Sequence, residues 1–182
     1  MDRASERKTG QGGKRCEDLI HLAESIFRDH GAGLLADPEL GLLLTEYEKE
    51  IHSTGHLMEE LGTFADCSGC AVREPGGCCG AGIEDWYGLP HLLINLLLGR
   101  EIPMDRTHEA CCLFLGESGC RLLARHDICV NYLCDRITKR LAAQDLDHLK
   151  AQAGRELFAG WQAERRLLHL LKTRTTISIA YP

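Results

Sequence analysis

The sequence predicts a mainly α fold: one helical bundle carrying a loop-rich, metal-organised cysteine module, with room for one short β-hairpin. Three observations carry that prediction. Apolar residues recur at helical spacing towards both ends of the chain. Hydrophobic residues make up 44% of the 182, enough for a core, while 26% charged residues exclude collagen-like and low-complexity classes. Most of the ten cysteines fall in the middle, where glycine is dense and the helical pattern lapses.

Residues 1–15 are polar and lack apolar periodicity, so they are expected to form a flexible tail. Residues 16–182 then form one helical domain with the cysteine module at about 63–135. Leu19, Ile20, Leu22, Ala23, Ile26 and Phe27 mark a first helix over 17–30, with Gly31 and Gly33 as stop signals. Asp37-Pro38-Glu39 reads as an N-cap, a first-position proline and a favourable acid. It opens a second helix, with Leu40, Leu43, Leu44, Tyr47 and Ile51 on one stripe, that continues to Leu61 with a bend expected at Gly55.

The stretch Gly62–Gly88 has little helical pattern and requires an organiser other than a core. Residues 90–100 are apolar on nearly every side, a short helix buried among others and ended near Gly99. In 112–123, two apolar segments flank Gly116-Glu117-Ser118-Gly119, the pattern of a hairpin turn. A helix over about 135–144 leads into a long amphipathic one carrying Leu149, Leu157, Phe158, Trp161 and Leu171, weakened at Gly154 and Gly160. Residues 175–181 read as a strand or an extended strap.

Eight cysteines fall into two groups: Cys67, Cys70, Cys78 and Cys79, then Cys112, Cys120, Cys129 and Cys134. The N-terminus has no apolar stretch of the signal-peptide kind, so the chain is expected in the cytoplasm. Thiols there stay reduced, so clustered cysteines are read as metal ligands ahead of disulfides or small buried hydrophobes. A Cys-x-x-Cys turn, here Cys67 to Cys70, lets two thiolates converge on one ion, and a tetrahedral site needs four such donors. One such turn where structural zinc sites usually show two tilts towards iron–sulfur, whereas the compact ferredoxin run is absent. The cofactor therefore stays open between an iron–sulfur cluster and Zn.

Residues 67–134 resemble the YkgJ-like cysteine-cluster family, described as zinc- or iron-chelating or iron–sulfur proteins. The family's opening Cys pair and adjacent Cys-Cys correspond to Cys67, Cys70, Cys78 and Cys79. Its Cys-x-Phe-Leu segment corresponds to Cys112-Leu113-Phe114-Leu115, its next Cys to Cys120, and its closing Cys-x4-Cys to Cys129 and Cys134. Two departures stand out. Seven residues separate Cys70 from Cys78 where the family has a shorter gap, and His126-Asp127 replaces an Arg-Pro. The resemblance implies a metal or cluster held by these eight cysteines. A flagellin lysine methylase is similar in the same motif, which implies an enzymatic alternative.

The leading expectation is thus a cytosolic metal-binding protein with a structural, electron-transfer or sensing role. The alternatives are an accessory or catalytic component of protein modification, and a zinc-stabilised module that recruits a protein partner. No segment is apolar for long enough to span a bilayer. Residues 136–182 hold nine Lys/Arg against four Asp/Glu, a balance of +5 that leaves −11 for the remainder. That charge reads as a solvated helix face in preference to a nucleic-acid surface. Cys16 is read as a thiol at the edge of the tail, Cys111 as lying outside the ligand pattern beside Cys112, His126 as solvated, and His52 with His56 as part of a polar helix face.

Overall fold

The structure, a computed structural model, describes residues 12–67, 78–117 and 119–174. It is mainly α, as expected. The elements are α1 (Gly12–Leu35), α2 (Pro38–Glu60), a 3-10 turn (Ile83–Trp86), α3 (Leu89–Leu97), β1 (Leu115–Gly116), β2 (Gly119–Cys120), α4 (Asp127–Asn131), α5 (Asp135–Arg140) and α6 (Ala143–Arg174). A helical segment also occupies 63–67. The strands form the expected hairpin, antiparallel, with Leu115 opposite Cys120 and Gly116 opposite Gly119.

Two helix pairings dominate. The long α2 lies along α6, and α1 lies along the apolar α3, which also touches α6. The seam between them buries Ile20, Leu40, Leu92, Leu93, Leu167 and Leu171 almost completely, each such side chain contributing about 2 kcal/mol. The start of α2 follows its capping signal: the Asp37 carboxylate accepts the Leu40 N–H at 3.0 Å. The same carboxylate receives Arg166 of α6 through two bonds of 3.0 and 2.8 Å, so one acid caps a helix and fastens it to its neighbour.

Several boundaries differ from the sequence reading. α1 begins at Gly12 and runs through Gly31 and Gly33 to Leu35. Its apolar stripe continues to Leu34, 2% exposed, and that burial outweighs the low helix propensity of two glycines. Cys16 is 1% exposed within the core, so it belongs to a packed helix and not to the edge of a tail. α2 runs through Gly55 without interruption. The strand or strap expected at 175–181 and most of the expected tail lie outside the described residues.

Asn95 of α3 links this frame to the module. Fully buried, it donates to the Ala124 carbonyl and accepts the Leu123 and Ala124 N–H groups, at 2.9 to 3.0 Å. The segment after the hairpin is thereby anchored to the most buried helix.

Candidate metal centre

The two cysteine segments are joined backbone to backbone. Cys112 N–H donates to the Cys79 carbonyl at 2.7 Å, Ala81 N–H donates to the Ala110 carbonyl at 3.1 Å, and Gly80 forms an antiparallel bridge with Cys111. Glu84 closes the junction. It is 2% exposed, and its carboxylate accepts Gly82 N–H at 2.9 Å and Leu113 N–H at 3.4 Å while pairing with Arg106. Arg106 donates in turn to the Cys111 carbonyl. Burial disfavours the Glu84 charge, yet the Arg106 guanidinium and the backbone donors hold its carboxyl below the usual carboxylate range. The described part of the module thus has a protein organiser, where the sequence reading assigned that role to metal alone.

Above this junction lies a cavity of about 450 Å³. Six of the eight expected ligands line it: Cys67, Cys78 and Cys79 of the first group and Cys112, Cys120 and Cys129 of the second. Cys67 ends the 63–67 segment, Cys112 precedes the hairpin, Cys120 ends β2 and Cys129 lies in α4. Much of the remaining wall is apolar, including Met58, Tyr87, Phe114, Ile128 and Leu133. Cys134 is half-buried at the start of α5 and is not among the described lining residues. Cys70 lies outside the described residues. Cys111 serves the backbone junction and is likewise not among the lining residues.

The thiols are within electrostatic reach of one another. Burial pushes the Cys112 thiol up to about 12, with the charges of Glu84, Cys120 and Cys129 adding to it. Burial and the neighbouring Cys120 charge push Cys129 up to about 11, against the Tyr87 hydroxyl 4.0 Å from its sulfur. Cys120 keeps accessible surface because it faces the cavity, yet the protein packed round it pushes its thiol up as well. Cys78 and Cys79 share a hydrogen bond that lowers the first and raises the second. Ionising these groups together is unfavourable unless a cation joins them. Among the described residues, no group of three or more His, Cys, Asp or Glu side chains is arranged so as to hold a metal ion.

His126, expected to face water, instead packs into a ring cluster. Its imidazole stacks on His91 with centroids 5.3 Å apart and lies 5.7 Å from Tyr87 and 6.1 Å from Trp86. His52 and His56 are exposed on α2 and are not among the residues lining the cavity. Sequence reasoning passed over Glu84, Asn95, Arg106, Arg125 and Glu156, single polar residues whose role depends on what the fold sets beside them. Among the described residues, no helix is long and apolar enough to cross a membrane. No family model, curated protein or solved structure matches this chain. The family resemblance therefore rests on cysteine spacing.

Proposed function

We propose that this chain is a cysteine-cluster protein that binds an iron–sulfur cluster or zinc, with a structural, electron-transfer or sensing role in the cytoplasm. The observation that carries this reading is that thiols from two groups distant in sequence line one cavity. Thiolate sulfur is the donor that suits both zinc and iron–sulfur clusters. Cys67, Cys78, Cys79, Cys112, Cys120 and Cys129 supply more sulfurs than the four a tetrahedral centre needs, and Cys70 and Cys134 complete the proposed set. A zinc ion would fix the loops, and an iron–sulfur cluster would add one-electron chemistry.

A second reading is favoured by size. A cavity of 450 Å³ falls in the range of small-molecule sites and exceeds the room one ion takes. It leaves room for a small molecule beside the thiols, which keeps open the catalytic or accessory role in protein modification that the family resemblance implies. Anaerobic purification with metal analysis and a visible spectrum separates the cofactors: iron with acid-labile sulfide marks a cluster, and colourless protein with stoichiometric zinc marks a structural site. Cys120→Ser and Cys129→Ser are expected to lower metal content while Cys16→Ser retains it. Equal loading in all three would reject the assignment.

A further inference from the structure

We infer that Arg125 is a positioning residue for the thiolate centre, supplying the cavity with a fixed counter-charge. This rests on the metal-binding reading above. Among the described lining residues, Arg125 is the only one that carries a positive charge at neutral pH. It follows the segment that Asn95 anchors and precedes α4, so its backbone is held from one side by α3. Its side chain is 13% exposed and meets Glu156 of α6, fully buried, at 3.9 Å. Burial pushes the Glu156 carboxyl above the usual carboxylate range, with the neighbouring Thr54 hydroxyl and the Arg125 charge opposing that rise, and neither carboxylate oxygen has a hydrogen bond of good geometry among the described residues. Glu50 is engaged by Gln152 at 2.7 Å and faces Arg155 at 3.8 Å, which leaves Arg125 as the cation that answers Glu156.

The charge balance gives this placement its meaning. Four thiolates around a divalent ion, or around a cluster core of charge +2, carry a net charge of about −2. A largely apolar wall solvates such an anion poorly. Glu156 is not among the lining residues, so Arg125 is the member of this pair that lines the cavity together with the thiols. A cation beside bound sulfur lowers the energy of the sulfur lone pairs, so a thiolate-to-metal transition then requires more energy.

Co²⁺ alone, loaded anaerobically into the full chain, is the probe. Both the thiolate-to-cobalt absorption band and release to a competing chelator are read. Arg125→Gln and Arg125→Met are expected to release Co²⁺ about tenfold more readily, the usual scale for losing a group that supports metal ligands. Their absorption band is expected to move to longer wavelength. Arg125→Lys, which keeps the charge but not the planar fork, should hold Co²⁺ more tightly than Arg125→Met, with its band near that of wild type. Circular dichroism melting shows that each variant is folded, and Arg125→Met retains an apolar stem, so a loss there belongs to the charge. Wild-type behaviour in Arg125→Met, or Arg125→Lys no better than Arg125→Met, overturns the inference alone. A wild-type chain that takes up neither Co²⁺, zinc nor iron overturns the metal-binding reading together with it.

Discussion

Glu84 shows how much of the cysteine module depends on one carboxylate. It accepts backbone donors from both sides of the junction and pairs with Arg106. Glu84→Gln keeps the shape but leaves Arg106 without its counter-charge, at a cost of about 2 kcal/mol, less than for a fully buried pair because Arg106 is partly exposed. The pH dependence has a definite sign. The folded carboxyl ionises below the unfolded value of about 4.3. Its contribution is therefore present above that value and is lost as pH falls through the folded one. Urea unfolding from pH 3 to 7 should show wild-type stability declining at the acid end and Glu84→Gln declining less. Parallel curves would assign the acid sensitivity elsewhere.

Cys78 makes a different residue-level prediction. The Cys79 thiol hydrogen-bonds to it and lowers its value to about 6. Cys112 and Cys129 are pushed up to about 12 and about 11 by burial. Because the thiolate is the reactive form, iodoacetamide at pH 7.5 should label Cys78 first in metal-free protein. The rate should drop several-fold as pH falls below about 6. Mass spectrometry of tryptic peptides reads the order, and early labelling of Cys112 would contradict it.

At the level of elements, two glycines of α6 that look alike in sequence separate once α2 is in place. A Cβ at Gly154 meets nothing within 4 Å, whereas one at Gly160 lies 2.9 Å from the Tyr47 ring. Gly154→Ala should therefore stabilise by up to about 1 kcal/mol, the helix-propensity difference. Gly160→Ala gains the same propensity but must displace a buried ring, so it should destabilise by about 1–2 kcal/mol net. Thermal melts of the two variants test the α2–α6 packing directly, since equal shifts would mean that Tyr47 does not pack there.

The same contrast explains what was legible in the sequence. Periodicity and capping located α2, α3 and the hairpin, because Asp37-Pro38, the apolar run before Gly99 and the Gly116–Gly119 turn are local signals. The extension of α1 through Gly31 and Gly33 was not legible, because it follows from the burial of Leu34 in the assembled core, which the local glycine signals do not report. At the site, cysteine spacing picked out six residues that share a cavity. Glu84, Asn95 and Arg125 carry no spacing signal, and only the fold gives them partners.

For the whole molecule, the division of labour between frame and module decides what metal removal should do. α1, α2, α3 and α6 pack on one another through an apolar core in which aliphatic side chains predominate, with Cys16, Cys111 and Cys112 among its buried members. The junction of Cys79 with Cys112 is held by backbone bonds and Glu84. The thiols themselves disfavour joint ionisation without a cation, so the lost ion is felt at the cavity wall. Metal present a thousandfold above its dissociation constant stabilises by about 4 kcal/mol. Its removal should lower the melting temperature of a chain this size by about 8–16 °C. The far-ultraviolet helical signal should stay nearly intact at room temperature. Two tryptophans sort the local from the global response: Trp86 lines the cavity, while Trp161 is half-exposed on α6, stacked on Phe158 and under Arg165. Chelation should change tryptophan emission in wild type and in Trp161→Phe, and leave Trp86→Phe without response. A response lost in Trp161→Phe instead would place the metal's influence on the long helix and away from the cysteine-lined cavity.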